Sequence, residues 1–254
     1  DITVLNGDDE RIREIGRTCT PEKMFFTGRQ KNEKGADIGT HAITFHGLDC
    51  LHKIKAAANG SGGPSSENRP AIALGRVPLK CRHELENISA AALATLAAGG
   101  TLAGIQKALE SFAGLPHRME RVAVLDGTVF YNDSKATNVD AVLRAMECLQ
   151  GPIHLIMGGR NKGGQFHLLE SPVRQKVKTL ILLGEASGEI EAALGNLTAT
   201  RIVATMEDAV STAHAAASSG EVVLLSPACA SFDMYQDYKE RGNAFREIVC
   251  GYKT

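Results

Sequence analysis

The chain has 254 residues, of which 43% are hydrophobic and 22% charged, and its formal net charge is −1 at pH 7. The length suits one large domain or two smaller ones, and the composition is ordinary for a globular protein with a buried core. The near-neutral charge gives no reason to expect binding to nucleic acid or to a membrane surface. No apolar run reaches the roughly 20 residues that span a bilayer. We therefore expect a cytoplasmic location without membrane insertion.

The first 80 residues or so are predicted to form short strands and turns. Strand propensity and flanking turn residues indicate strands at Ile2–Leu5, Lys23–Phe26, Ala42–Phe45 and Ala71–Leu74. A stretch rich in Gly, Ser and Pro at 58–68 is typical of a flexible loop. The chain begins inside the first of these strands and without methionine, so we expect it to be part of a longer protein.

Two helices are predicted next, at Glu84–Ala98 and Thr101–Phe112, with Thr101 as the N-cap of the second. Residues 114–118, with the sequence Gly-Leu-Pro-His-Arg, break this pattern. They are predicted to form a hinge.

Beyond the hinge the pattern becomes a regular alternation of strands and helices. A hairpin is predicted from Val122 to Tyr131 with its turn at Asp126-Gly127. Further strands are predicted at 153–157, 179–183, 201–204 and 222–225, and helices at 139–149 and near 168–177, 186–195, 206–218 and 234–249. Short apolar strands separated by helices indicate a parallel sheet covered on both faces. This part of the chain is therefore predicted to be a doubly wound α/β domain.

In such a fold, ligands bind outside the carboxyl ends of the strands. The most informative of these ends is 131–138, Tyr-Asn-Asp-Ser-Lys-Ala-Thr-Asn, at a turn into a helix whose free N–H groups favour anions. Two others are 158–164, Gly-Gly-Arg-Asn-Lys-Gly-Gly, and 226–233, Ser-Pro-Ala-Cys-Ala-Ser-Phe-Asp. Cations, hydroxyls and glycines dominate these three segments.

We interpret Lys135 and Lys162, with the hydroxyls of Thr137 and Ser231, as a pocket for a carboxylate. Ammonium groups and short hydroxyls complement an anion. The simpler alternative is that Thr137 or Asn138 only caps the following helix. Capping does not explain the adjacent Asp-Ser-Lys.

Other catalytic motifs fit poorly. Lys162 is followed by Gly163 rather than Ser or Thr, so 158–164 is not a nucleotide P-loop. The segment 226–231 lacks the G-x-S-x-G elbow, and no histidine follows it in the chain. Cys229 has no evident activating neighbour and is predicted to be a buried structural thiol.

In order and spacing, these segments resemble the motifs of the Mur ligases of peptidoglycan synthesis, and among them the enzymes that add D-glutamate. The resemblance rests on Gly114-Leu-Pro-His-Arg118, Asn132-Asp-Ser-Lys-Ala-Thr-Asn138, Gly158-Gly-x-x-Lys162 and Leu225-Ser-Pro-Ala-Cys-Ala-Ser231. It covers residues 114–254 and, more weakly, 1–113. It implies that 1–113 form the C-terminal half of a central α/β ATP-binding domain, 114–118 a hinge, and 119–254 a Rossmann-like domain for the amino acid.

The activity that the resemblance implies is the ATP-dependent ligation of D-glutamate to UDP-N-acetylmuramoyl-L-alanine through an acyl phosphate. ATP and Mg²⁺ are the implied cofactors, with the P-loop and the metal ligands expected upstream of this chain and no metal site within it. A monomer acting on small molecules is expected, without nucleic acid. It would depend on the missing N-terminal part of the same protein, and the fragment alone is expected to be inactive.

The resemblance also implies roles for individual residues. In this family's pattern the ATP-binding positions are Asn87, Arg118 and Asp133, the catalytic positions are Lys135, Arg118 and His117, and the D-glutamate positions are Thr137, Lys162, Ser231, Phe232 and Tyr238. Two positions depart from the pattern, because Glu84 stands where a second asparagine is usual and Tyr238 where phenylalanine is usual.

Two alternatives stay open. In the first, the chain is part of another amide ligase of the same superfamily, such as another Mur ligase or an enzyme similar to folylpolyglutamate synthase. In the second, it is a non-catalytic ligand-binding module. The second alternative predicts a glycine fingerprint after a strand, which the sequence lacks.

Overall fold

The computed structural model describes residues 1–29, 34–48, 69–78 and 81–252. The loop predicted at 58–68 lies outside the described residues. The chain divides into two compact units, Asp1–Ala113 and Gly114–Thr254. No helix within the described ranges is both long and apolar enough to cross a bilayer.

The first unit contains a mixed five-stranded sheet with strand order β1-β2-β3-β4-β5. Its elements are β1 (Ile2–Asn6), α1 (Glu10–Thr18), β2 (Glu22–Thr27), β3 (Gly35–Ile38), β4 (Ala42–His46), β5 (Ala71–Ala73), α2 (Arg82–Ala97) and α3 (Leu102–Ser111). Strands β1, β2 and β3 run parallel, whereas β4 is antiparallel to both β3 and β5. The four strands and two helices predicted here are confirmed, and Thr101 caps α3 by accepting from Gly104 N at 3.1 Å.

Two elements of this unit were missed, so the prediction of only strands and turns before residue 80 is wrong in part. Helix α1 buries only Gly16 and is mostly polar, with Ile12 and Ile15 as its only large apolar residues, so its apolar pattern is short. Its N-cap was the available signal, because Asp9 accepts from Ile12 N at 3.0 Å. Strand β3 has four residues and contains Gly and Asp, which are depleted in strands.

One hydrophobic core joins the sheet of the first unit to α2. Met24, Ile43 and Ile72 on the strands and Leu93 on α2 are fully buried. On α2 the buried positions are Ile88, Ser89, Ala92, Leu93 and Leu96. These spacings of three and four residues place them on one face of the helix, so burial against the sheet explains why this segment is helical.

The second unit contains a six-stranded sheet with strand order β10-β9-β8-β11-β7-β6. Its elements are β6 (Glu120–Leu125), β7 (Thr128–Asn132), α4 (Val139–Cys148), β8 (Ile153–Gly158), a 3-10 helix (Phe166–Leu169), α5 (Glu170–Lys176), β9 (Val177–Leu183), α6 (Ser187–Leu194), β10 (Ala199–Ile202), α7 (Met206–Ala216), β11 (Val222–Ala228) and α8 (Tyr238–Gly251). All its pairings are parallel except β6 with β7.

Successive residues of the central strands enter different cores, as the pleat of a strand requires. On β8, Leu155 and Met157 belong to the core covered by α4 and α6, whereas Ile156 belongs to the core covered by α7 and α8. On β11, Leu224 belongs to the core covered by α4 and α6, and Leu225 to the core covered by α7 and α8. Both faces of the sheet are therefore covered by helices, and the prediction of a doubly wound α/β domain is confirmed.

The hairpin β6-β7 turns at the predicted dipeptide. Asp126 and Gly127 both have positive φ, 49° and 79°, which is typical of a two-residue turn that matches the twist of the strands. By contrast, the helix predicted from residue 234 begins at Tyr238, with Asp237 as its N-cap. Residues 234 and 235 instead donate their N–H groups to the carbonyl of Ser231, which extends the loop after β11.

Candidate functional site

The polar segments singled out in the sequence follow three adjacent strands. In the sheet order β8-β11-β7, the segments 158–164, 229–233 and 133–138 extend from the carboxyl ends of these strands. Parallel strands end at the same edge of a sheet, so the three segments share one edge of the second unit. This is the edge at which doubly wound domains bind ligands.

Backbone hydrogen bonds fix the segment after β7. Asp133 N donates to the carbonyl of Leu225 at 2.8 Å, and Lys135 N donates to the carbonyl of His117 at 3.0 Å. The N-cap of α4 is Asn138, which accepts from Ala141 N at 2.9 Å. Capping therefore accounts for Asn138 alone, and it leaves the segment from Asp133 to Thr137 without a capping role.

The carboxyl group of Asp133 is buried, because only 7% of the surface of this residue is exposed. Its Oδ2 accepts from Ser226 Oγ at 3.0 Å and its Oδ1 from Met119 N at 3.3 Å. Burial raises the pKa of Asp133 to about 7, although these hydrogen bonds and the nearby charge of Arg118 favour the ionised form. Asp133 therefore changes its ionisation near neutral pH.

His117 and Asn132 form a buried pair beside this carboxyl group. Asn132 Nδ2 donates to the carbonyl of Gly242 at 3.0 Å and lies 3.1 Å from His117 Nδ1. Burial lowers the pKa of His117, even though Glu120 opposes the shift. A neutral imidazole accepting at Nδ1 fits this environment. His117 has φ of 63°, and its carbonyl is the acceptor that holds Lys135 N.

Lys135 packs against Tyr238. The Lys135 ammonium is 5.1 Å from the centroid of the Tyr238 ring and 3.5 Å from its hydroxyl oxygen, a distance at which attraction between a cation and a ring is appreciable. Tyr238 also meets the His117 ring edge-on, with centroids 6.1 Å apart. The structure thus brings together His117, Lys135 and Tyr238, which lie far apart in the sequence.

Lys162 and Phe232 form a second pair of this kind. The Lys162 ammonium lies 5.1 Å from the centroid of the Phe232 ring, and that residue is 55% exposed. The two segments that carry them are joined by backbone hydrogen bonds in both directions between Arg160 and Ala230, at 2.8 and 3.0 Å. Ser231, which is 2% exposed, follows directly.

The predicted site thus contains lysines without a carboxylate partner and hydroxyls without a hydrogen-bond partner. In the part of the chain that the structure describes, neither Lys135 nor Lys162 lies within salt-bridge distance of a carboxylate, and neither the Thr137 nor the Ser231 hydroxyl has a hydrogen-bond partner. Arg160, in contrast, binds Glu185 with two hydrogen bonds of 2.9 and 2.7 Å. Cys229 is fully buried and burial raises the pKa of its thiol to about 12, as predicted for a structural cysteine.

Not every predicted residue lies in this cluster. Arg118 is exposed at the start of the second unit, and its charge acts on Asp133. Asn87 lies in the first unit, at an exposed position of α2. Glu84, which departs from the family pattern, has a local role, since its Oε2 accepts from Cys81 N at 2.9 Å at the start of α2.

Arg241 and Ser226 were missed in the sequence. Arg241 is 3% exposed and donates to Ser134, Gly158 and Cys229. A signal for its burial existed, because Arg241, Phe245 and Val249 recur at intervals of four on one face of α8. Ser226 lies within β11, and its hydroxyl donates to Asp133. The strand predicted at 222–225 ended before Ser226, so this contact was not expected.

No candidate metal site is found among the described residues. Within the described ranges no group of three or more His, Cys, Asp or Glu side chains is arranged to hold an ion. We therefore derive no step through a metal ion.

The second unit is a doubly wound α/β domain with a cationic, hydroxyl-rich site at the carboxyl ends of its strands, a class of domain suited to small anionic ligands. Residues 117–229 match the family described as Mur ligase, glutamate ligase domain. This part of the chain belongs to that family. The family inferred from the sequence motifs is thus confirmed.

Curated relatives agree with this assignment, and a solved structure shows the same fold. The chain is 43% identical over 249 residues to the UDP-N-acetylmuramoylalanine–D-glutamate ligase of Desulfatibacillum aliphaticivorans, covering 98% of this chain and 52% of that protein. It is 51% identical over 249 residues to the protein of the same name from Geotalea daltonii, covering 98% and 51%. UDP-N-acetylmuramate-alanine ligase from Thermotoga maritima shares the fold, with a TM-score of 0.65 at 12% identity over 99% of this chain and 52% of that one. The chain spans about half the length of the curated relatives it matches.

Proposed function

We propose that this chain carries the D-glutamate site, and part of the ATP site, of a ligase that joins D-glutamate to UDP-N-acetylmuramoyl-L-alanine. The observation that carries the proposal is the set of lysines without carboxylate partners and of hydroxyls without hydrogen-bond partners at the ends of β7, β8 and β11. D-Glutamate has two carboxylates, and an ammonium group with nearby hydroxyls complements such a group. The names of the relatives, which cover almost the whole chain, support the same choice.

In this proposal the amino acid is held by five side chains. Lys162 pairs with one carboxylate, and the Thr137 and Ser231 hydroxyls donate to the carboxylate oxygens. Phe232 and Tyr238 confine the aliphatic part of the ligand. Lys135 lies near the reacting phosphate, where its charge stabilises the negative charge that develops in the transition state.

The nucleotide contacts belong to other residues. Asp133 accepts hydrogen bonds from ribose hydroxyls, Arg118 pairs with phosphate oxygens, and Asn87 contacts adenine. His117 positions Lys135, because the His117 carbonyl accepts a hydrogen bond from Lys135 N. The high pKa of Asp133 suits this role, since a carboxyl group that is half protonated at neutral pH becomes a full acceptor when a sugar hydroxyl donates to it.

The reaction has two steps. A carboxylate oxygen of UDP-N-acetylmuramoyl-L-alanine attacks the γ-phosphorus of ATP, giving an acyl phosphate and ADP. The amine of D-glutamate then attacks the acyl carbon, and the tetrahedral intermediate expels phosphate as the amide forms and the nitrogen loses its proton. This chain contributes the orientation of the amine, which is an effect of proximity.

We infer the remaining features from the family. Residues 1–113 correspond to the C-terminal half of a central ATP-binding domain, 114–118 to a hinge and 119–254 to the amino-acid domain. Magnesium, the P-loop and the sugar-nucleotide site belong to the other part of the same protein, and a cytoplasmic monomer is expected.

Calorimetry on the purified chain tests the choice of substrate. We expect D-glutamate to bind weakly, and more tightly than L-glutamate, D-glutamine or a diamino acid. Equal or tighter binding of a different amino acid would favour another ligase of the superfamily. If no amino acid binds at millimolar concentrations, the assignment of this edge to the amino acid is wrong.

The chain alone is predicted to be inactive, because it contains no P-loop motif to hold the phosphates of ATP. Release of phosphate should not rise above background when the chain is mixed with ATP, D-glutamate and UDP-N-acetylmuramoyl-L-alanine. Measurable turnover under these conditions would contradict the prediction.

A further inference from the structure

Arg241 is a buried cation in the first turn of α8. Its Nε donates to Ser134 Oγ at 3.0 Å, and its Nη2 donates to the carbonyls of Ser134 at 2.9 Å and Cys229 at 3.1 Å. Its Nη1 reaches the carbonyl of Gly158 at 3.4 Å. One guanidinium group therefore joins four acceptor atoms on three segments of the chain.

These three segments carry the candidate pocket. Ser134 directly precedes Lys135, and Cys229 lies two residues before Ser231. Gly158 begins the segment that carries Lys162. Strands β8, β11 and β7, which these segments follow, are neighbours in the sheet. The atoms held by Arg241 are thus the backbone from which the pocket's side chains project.

No carboxylate among the described residues lies within salt-bridge distance of this guanidinium group, although the more distant charge of Asp233 acts on it. All four of its acceptors are neutral, whereas exposed Arg160 has Glu185 as a partner, and among the described residues Arg241 forms no ion pair. Burial lowers the pKa of Arg241 to about 10, so the group stays charged at neutral pH. A buried charge without a counter-ion is costly in a folded protein, and its positive potential favours an anion at the adjacent edge of the sheet.

The surroundings are shaped for this one side chain. A Cβ added to Gly159 would lie 3.1 Å from Arg241 Nη1 and 2.2 Å from the carbonyl oxygen of Ala230. Gly159 has φ of 124°, a conformation that favours glycine. The planar fork of arginine places several N–H groups in fixed directions, which the single ammonium of lysine cannot reproduce.

We propose that Arg241 is a positioning residue for the acidic amino acid: it fixes the three strand-end segments that present Lys135, Lys162 and Ser231, and its unpaired charge draws the substrate's carboxylates to that edge. This inference rests on the proposed function for the ligand, but its structural part is testable without any ligand. Arg241 touches no substrate in this scheme and acts through the residues it holds.

Amide hydrogen exchange in the chain with Arg241→Lys tests the structural part. The lysine keeps the charge but loses most of the hydrogen bonds. The Arg160 and Ala230 amides should then exchange at least about tenfold faster, because a hydrogen bond to a charged group is worth more than one factor of ten. The amides of Leu180 and Ile181 on β9 should change little. Arg174→Lys, the same change at an exposed position of α5, is the control and should alter neither set.

If exchange of all core amides becomes uniformly faster, Arg241 contributes only to global stability. If exchange at Arg160 and Ala230 is unchanged, Arg241 does not fix the segments after the strands. Either result overturns the proposal. If Arg241→Lys does not fold, Ser134→Ala decides, because it removes one acceptor and keeps the arginine. It should speed exchange of the same two amides by a smaller factor, roughly threefold or more, and no local change would overturn the proposal.

Binding of D-glutamate tests the second part. Arg241→Lys should weaken binding through lost geometry, and Arg241→Met should weaken it further, because the methionine also removes the charge. If both variants bind as the wild-type chain does, the proposed role is wrong although the assignment of the ligand stands. If the wild-type chain binds no D-glutamate, the assignment of the ligand fails, and the exchange experiment still decides whether Arg241 holds the segments.

Discussion

The lysines at the two ends of the sheet in the second unit have different partners. At the amino end, Glu221 binds Lys178 through both carboxylate oxygens at 2.8 and 3.1 Å and His154 Nε2 at 2.9 Å. At the carboxyl end, Lys135 and Lys162 face aromatic rings and have no carboxylate partner among the described residues. Charges that are satisfied within the protein stabilise it, whereas charges left without counter-ions are available to a ligand. The contrast indicates which end binds substrate.

The same contrast appears in the two carboxyl groups. Hydrogen bonds from Lys178 and His154 hold the pKa of Glu221 at about 2, so this group prefers to be ionised. Burial raises the pKa of Asp133 to about 7, so this group prefers to be neutral. One carboxylate therefore contributes stability at neutral pH, and the other costs stability there.

The largest effect is expected for Lys162→Ala. Loss of a charged hydrogen bond to a ligand carboxylate should weaken D-glutamate binding roughly tenfold to hundredfold, as measured by calorimetry. Lys178→Ala, which removes a lysine from the amino end, is the matched control and should leave the affinity unchanged. Equal affinity of the wild-type and Lys162→Ala chains would remove Lys162 from the site.

The pH dependence of stability should separate the two carboxyl groups. The pKa of Glu221 is lowered from 4.5 to about 2 in the folded state, so its contribution is present above pH 4.5 and is lost as the pH falls towards 2. Glu221→Gln should therefore lower the free energy of unfolding at pH 7 by roughly 1–3 kcal/mol, with a smaller difference near pH 3. Urea titrations at the two pH values measure this, and a pH-independent difference would contradict the ionic account.

Asp133 should show the opposite sign. Its pKa is raised from 3.8 to about 7, so between these values the folded state holds a proton that the unfolded state has lost. Its contribution to stability therefore falls as the pH rises through this window. Asp133→Asn should raise the melting temperature at pH 8 and have little effect at pH 4. Glu191→Gln, at an exposed position of α6, is the control and should change neither value. A lower melting temperature for Asp133→Asn at pH 8 would be the contrary result.

The smallest effects should separate capping from binding in the segment after β7. Asn138→Ala removes the N-cap of α4 and should cost about 1 kcal/mol of stability, without changing D-glutamate affinity. Thr137→Val keeps the shape and should weaken binding with little effect on stability. If Thr137→Val binds D-glutamate normally and destabilises the fold, the Thr137 hydroxyl has a structural role and is not part of the pocket.

Much of the second unit was predictable because its signals are local. The continuous apolar runs of β8 and β11 and the Asp126-Gly127 turn each depend on a few neighbouring residues, as does the Thr101 cap in the first unit. The rule that ligands bind at the carboxyl ends of parallel strands then selected the segments containing Lys135, Lys162 and Ser231 from the sequence alone.

The missed features depend on contacts distant in sequence. Arg241 was overlooked because a buried arginine is recognised by its acceptors, and Ser134 and Cys229 lie 107 and 12 residues away. The start of α8 was placed too early for a different, local reason. Residues 234–237 contain no helix breaker, and Asp237 was not recognised as the N-cap. Helix α1 was missed because it buries almost nothing.

The most direct test of the account is a map of amide chemical shifts as D-glutamate is added to the ¹⁵N-labelled chain. The account predicts that the shifts change at Thr137, Lys162 and Ser231, at the carboxyl end of the sheet. Lys178 and Glu221, at the amino end, should show no change. Shifts confined to the amino end, or no shifts at any concentration up to saturation, would contradict the claim that the unpaired cations mark the ligand site.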